Sequence, residues 1–237
     1  MGREQKLSAI ILKKQPLGEG DELLTLFAKD RGKIRVLAKA IKSPKSKLQQ
    51  KLQVLFRIEA VVAGSKIPKV IGAETADVYL GIRENLLAAK IAFLAAELIL
   101  KFTAEEQKNE KLFNILRVFF EFLSRNSEPL LLDMALARFK LAVLEASGFG
   151  IRVMPAENSA VYFNSALGGF VADAAGSVGV SSGAYKLFLS LLRCRLADLP
   201  APGRPSENSL RELQSLLTAF IEYQLERKLK AEHFLRT

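Results

Sequence analysis

The sequence predicts an α+β protein: a small β-barrel at the front, then a helical domain that carries a short β-ribbon. Three observations predict it. Apolar residues alternate with a period of two through the first 80 residues, they recur at helical spacing from about residue 81 onward, and a Gly/Ala/Ser-rich stretch from 149 to 180 interrupts the helices. A chain of 237 residues that is 49% hydrophobic can bury one large core or two modest ones.

Five strand-like segments make up the first part. They are LSAIILKKQ (Leu7 to Gln15), ELLTLFA (Glu22 to Ala28), GKIRVLAKA (Gly32 to Ala40), QVLFRIEAVVAG (Gln53 to Gly64) and KVIGAETADVY (Lys69 to Tyr79). Asp30, Arg31 and Gly32 turn the second into the third as a hairpin. With no helical periodicity between them, five short strands suit a closed barrel, because an open sheet of this size leaves an edge to aggregate. The OB-fold is the barrel expected, over residues 1–80, and single-stranded nucleic acid is its usual ligand.

Charge sharpens that expectation. The net charge is +10, and residues 1–80 hold sixteen Lys and Arg against eight Asp and Glu. Between Arg31 and Lys51 stand Arg31, Lys33, Arg35, Lys39, Lys42, Lys45, Lys47 and Lys51, with no acid among them. In the third strand Lys33, Arg35 and Lys39 share one parity, and Ile34, Val36 and Ala38 the other. One face should pack while the other presents cations about 7 Å apart, near the spacing of phosphates along a strand. These eight residues are the predicted nucleic-acid-binding set. Without Trp there is no clear stacking platform, so binding should be electrostatic and indifferent to sequence.

Single residues exclude several chemistries. One cysteine, Cys194, cannot form an internal disulfide, which fits a reducing compartment. One Cys and one His, His233, cannot complete a tetrahedral zinc site, and a Cys nucleophile would need as its base a His that lies in the last five residues, so Cys194 is expected to be an ordinary helix residue. No charge-free apolar run reaches the roughly 18 residues of a membrane span, and a cytoplasmic protein without cofactor is expected. Glu19, Asp21 and Glu22 cluster beside the basic strands. They are candidates for an alternative reading, a Mg²⁺-dependent nuclease or other enzyme of nucleic-acid metabolism.

Residues 81–237 read as helical. IRENLLAAKIAFLAAELILKFT (Ile82 to Thr103) is apolar nearly all round and should lie in the middle of a bundle. KLFNILRVFFEFLSR (Lys111 to Arg125) follows. Pro129 opens the next helix, which Gly148 ends. Ser181 or Ser182 caps a helix through Leu199, and a last helix runs from Ser206 to the chain end.

The run GEGDELLTLFAKDRGKIRVLAKAIKSPKSKL resembles the N-terminal domain of the RecO family of bacterial recombination mediators. The shared features are a Gly-Glu-x-Asp turn at Gly18 to Asp21, a Leu-Thr-Leu-Phe strand at Leu24 to Phe27, and a basic loop at Lys39 to Lys47, where the family has Gly at the place of Ala40. The ending YQLERKLKAEHFL is similar to the family's C-terminal signature. In many RecO relatives the segment matching 149–180 resembles a zinc finger. Here Ala172 and Ala175 stand where the second Cys pair would be, so the resemblance implies a metal-free ribbon held by Tyr162, Phe163, Phe170 and Val171.

The resemblance further implies a protein that catalyses no chemical step. It would bind single- and double-stranded DNA, anneal complementary strands and, with RecR, help load a recombinase onto DNA coated by single-strand binding protein. That protein's acidic, apolar C-terminal tail would need an apolar groove rimmed by cations. Arg227, Lys228 and Lys230 beside Phe234 and Leu235 are the residues expected to offer one.

Overall fold

The computed structural model describes residues 4–41, 46, 48–64, 66–153, 161–199 and 203–235, with side chains through residue 232. Lys42, Lys45 and Lys47 of the predicted nucleic-acid-binding set lie outside the described residues, as do the side chains of His233, Phe234 and Leu235.

The five strands close into a barrel in the order β1-β2-β3-β5-β4. They are β1 (Gln5–Leu17), β2 (Asp21–Ala28), β3 (Gly32–Ala38), β4 (Arg57–Ala63) and β5 (Lys69–Asp77), with a one-turn helix α1 (Leu48–Lys51) between β3 and β4. All neighbours are antiparallel except β3 and β5, which pair in parallel at Leu37 and Lys69. This is the OB arrangement. β1 serves both halves by pairing with β2 and β4, and a bulge at Leu12 re-aims its chain between Ile11 and Lys13. Leu24, Leu26, Ile34, Val36, Ile58 and Val62 fill the interior, as the alternation predicts.

The outer face of β1 and β2 is not solvated. Ile10, Leu12 and Phe27 join the core of the helical domain, and the Phe27 ring lies 6.2 Å from that of Phe113. Barrel and bundle therefore share one continuous core.

The helical domain comprises α2 (Leu80–Glu84), α3 (Leu86–Phe102), α4 (Glu110–Arg125), α5 (Pro129–Ala146), α6 (Ser182–Arg193), α7 (Glu207–Leu225) and α8 (Lys230–Leu235). α5 is central: Phe139 stacks on Phe119 of α4 at 4.2 Å between ring centroids. Its C-terminus closes as expected, with Gly148 in the left-handed region at φ +84° and the Phe149 N–H donated to the Leu144 carbonyl.

Three predicted helices are shorter than their periodicity suggested. The first is divided at Asn85, whose extended backbone and side-chain oxygen, accepting the Ala88 N–H at 3.0 Å, start α3 afresh. The helix that Ser181 caps stops at Arg193, before a 3₁₀ turn at Leu196–Asp198. The last stops at Leu225, because Glu226 adopts φ +52° and Glu222 accepts the Leu229 N–H, turning the chain into α8.

The ribbon is a three-stranded sheet, β7-β6-β8 (Gly169–Val171, Val161–Asn164, Val178–Val180). Phe163 and Phe170 are buried and meet edge to face at 5.1 Å. Phe170 also packs on Phe188 of α6 at 4.6 Å, and Phe163 on Phe220 of α7 at 5.4 Å. Aromatic burial holds the strands where the resemblance places thiolates in relatives.

Candidate nucleic-acid interface

The predicted cationic face is built differently from its sequence pattern. β3 alternates as expected, with Lys33 and Arg35 pointing out of the barrel. That outer side, however, faces the loop between α3 and α4. The Arg35 guanidinium grips Glu105 with a two-pronged contact, Nε to Oε1 at 3.1 Å and Nη2 to Oε2 at 3.1 Å. Arg31 reaches Glu106 at 3.2 Å and donates to the Gln5 side chain at 3.0 Å. Lys33 is half-buried and donates to the carbonyls of Leu100, at 2.7 Å, and Thr103, so it caps the end of α3. Burial pulls its pKa down, with Glu105 opposing.

Backbone follows the side chains. The Glu106 N–H donates to the Lys33 carbonyl at 2.8 Å, and Lys33 and Glu105 form a parallel bridge. Gly32 permits the approach: a Cβ there would stand 1.9 Å from the Gln107 carbonyl oxygen, and its φ of +68° is one that only Gly adopts freely. The expectation of an uncompensated row on β3 is thus corrected. Acids that stand about 70 positions later in the chain neutralise it. Lys51 is compensated as well, by both carboxylate oxygens of Glu74 at 2.7 Å.

Lys39 is different. It is exposed at the end of β3, where the chain leaves the barrel for the segment holding Lys42, Lys45 and Lys47. Asp21 anchors the start of that segment by accepting the Ala40 N–H at 2.7 Å. Ala40 sits at φ +49°, a region that costs an L-residue about 1–2 kcal/mol. A Gly would adopt this conformation without that cost.

The Gly-Glu-x-Asp turn accordingly has a structural role. Asp21 holds the loop root, and Glu22 pairs with Lys14 at 2.9 Å. Among the described residues no three His, Cys, Asp or Glu side chains gather to hold a metal, so the Glu19, Asp21 and Glu22 cluster does not converge. Cys194 is the C-cap of α6, and burial pushes its thiol pKa up, opposite to an activated nucleophile.

Two apolar depressions lie on the helical side. One, about 680 Å³, is floored by Leu12, Phe93, Ala96 and Leu100 and rimmed by Lys13, Lys90, Lys101 and Lys230. Phe93 is 50% exposed there. Glu97 lines it too, but its carboxylate accepts the Lys230 and Ala231 N–H groups at 2.9 and 2.7 Å and pairs with Lys101. Of the predicted tail-binding residues, Lys230 therefore faces this groove, whereas Lys228 turns to Glu222 at 2.9 Å. The second depression, about 390 Å³, is walled by Ile115, Val118, Phe139, Ala142 and Leu196. Arg138 lines it, donating from Nε to the Cys194 carbonyl at 2.6 Å, with Nη1 buried and without a hydrogen-bond partner among the described residues.

Comparison with known proteins agrees with this architecture. Residues 1–79 match the family described as Recombination protein O N terminal, and residues 83–233 match Recombination protein O C terminal. The chain belongs to the RecO family. It is 29% identical over 240 residues to the DNA repair protein RecO of Dehalococcoides mccartyi strain 195, covering 95% of this chain and 92% of that one. The corresponding protein of Pelotomaculum thermopropionicum is 28% identical, over 97% of this chain and 93% of its own. A RecO of Dehalococcoides mccartyi strain CBDB1 is 35% identical over 145 residues, a match that spans 61% of this chain and only 56% of that relative. The RecO resemblance in the sequence and the barrel-plus-helices fold both hold. No helix among the described residues is long and apolar enough to cross a membrane.

Proposed function

We propose that this protein is a DNA-binding recombination mediator that works without a chemical step, in the bacterial cytoplasm at the nucleoid. It binds single- and double-stranded DNA and anneals complementary strands. With a RecR-like partner it assists recombinase loading on DNA coated by single-strand binding protein. The observation that carries the reading is the acid-free run Lys39, Lys42, Lys45 and Lys47, which leaves the OB barrel at an anchored root, in a chain belonging to a DNA repair family. Cations there offset phosphate repulsion between two strands, so pairing can proceed without ATP. Arg31, Lys33, Arg35 and Lys51 of the predicted set are each engaged within the protein before DNA arrives.

Mixing the pure protein with labelled complementary strands and Mg²⁺ tests this. Intact, faster-annealing duplex without ATP is expected; fragments would contradict this reading and point to a nuclease instead.

For the acidic, apolar tail of single-strand binding protein, the groove between β1, α3 and α8 is the favoured seat. Four lysines ring an exposed Phe93 there, and Lys230 is among them. The Arg138 pocket is a second reading, favoured by its unpartnered Nη1, which suits a terminal carboxylate. A tail peptide should lose at least about tenfold in affinity on Lys90→Glu with Lys230→Glu if the groove is right, from two lost charge contacts of about 1 kcal/mol each. Loss on Arg138→Gln instead would move it to the pocket, and no loss on either would remove both.

A further inference from the structure

We infer that the Glu105 and Glu106 loop is a built-in competitor for DNA phosphate, holding Arg31 and Arg35 closed until a polyanion exchanges with it. This rests on the DNA-binding reading above and concerns how that surface is regulated.

The geometry separates two kinds of contact at this junction. Lys33 is committed: its ammonium is half-buried and fixed on two main-chain carbonyls. The Glu106 N–H to Lys33 carbonyl bond and the close packing at Gly32 fix the loop backbone in the same way. The arginine pairs are of the other kind. Side-chain exposure is 49% for Arg35 and 53% for Glu105, and 30% for Arg31 and 65% for Glu106. Water-screened pairs of this type contribute little to stability. A guanidinium that meets a carboxylate through two parallel N–H groups, as Arg35 does, presents the same fork to two phosphate oxygens. The carboxylates can therefore be replaced by phosphate while the backbone docking stays in place.

The consequence is a threshold. DNA first meets the lysines from Lys39 onward, and the arginines add their contacts only when local phosphate density outcompetes two tethered carboxylates. The tether holds the acids at high effective concentration, which raises the phosphate density needed to displace them.

The test compares Glu105→Gln/Glu106→Gln with wild type for single-stranded oligonucleotide affinity across salt. Affinity should rise about three- to tenfold at low salt, and the log affinity against log salt slope should steepen by about 1.4, the value for two further phosphate contacts on a single strand. Neutralising Glu84 and Glu226, exposed acids elsewhere, controls for net charge and should leave the slope unchanged. Adding Arg31→Gln/Arg35→Gln to the loop variant should abolish the gain. If wild type binds DNA but the loop variant shows the same slope, or the gain survives loss of both arginines, the competitor is overturned while the DNA-binding reading stands. If wild type does not bind DNA, that reading itself fails.

Discussion

Replacing Glu232 with Ala is expected to cost about 3–5 kcal/mol, the usual penalty for stripping the partner from a buried ion. Lys140 lies in the middle of α5 with no exposed surface. Its ammonium donates to Thr218 at 2.8 Å, Gln214 at 2.9 Å and Glu232 at 3.2 Å, and Thr218 in turn donates to Glu232 at 2.8 Å. The network ties α5 to α7 and to the short α8 that ends the described chain. Burial also pushes the nearby Asp133 pKa up, with Lys140 opposing. For a chain of this size 1 kcal/mol is about 2–4 °C, and the melting temperature should fall by roughly 6–20 °C. Lys140→Met combined with Glu232→Leu should recover most of the loss, because apolar replacement of both partners removes the desolvation cost as well as the attraction. A Glu232→Ala protein that melts within about 1 kcal/mol of wild type would show that the pair is not what seats α8.

Most of the barrel was legible because its signal is local. Alternation in GKIRVLA reports which side chains enter the barrel, whatever surrounds it, and β3 buries Ile34, Val36 and Ala38 accordingly. The same locality explains the main correction. A count of charges from Arg31 to Lys51 cannot see Glu105, Glu106 and Glu74, which reach those cations only through the fold. Nor does alternation reveal that the outer side of β2 is a second buried face. Phe27 looks like one more apolar strand residue until Phe113 is set against it.

Helix ends divide similarly. Pro129 and Gly148 mark α5 because their backbone preferences are intrinsic. The break after Leu225 has no such residue. It depends on Glu222 folding back onto the Leu229 N–H and on Glu97 of α3 receiving the start of α8, neither of which periodicity encodes. Asn85 and Asn109 did carry a readable cap signal, each accepting an N–H three residues on, and apolar runs on either side obscured it. Lys140 was hidden for the opposite reason, as a fully buried charge in a mostly apolar helix whose compensation comes from two other helices.

The second large effect concerns DNA. The Lys39, Lys42, Lys45 and Lys47 segment carries the proposal, since its cations have no acid between them and Lys39 is exposed. Changing all four to Glu should lower single-stranded DNA affinity by at least about a hundredfold near 50 mM salt, and should flatten the log affinity against log salt slope by about 3, from four lost phosphate contacts. The melting temperature should stay near that of wild type, which checks that the variant is folded. The most direct measurement of the account is therefore this slope, taken for wild type and the four-residue variant side by side. A steep wild-type dependence that collapses in a folded variant is the predicted result; equal slopes and equal affinity would place DNA on some other surface.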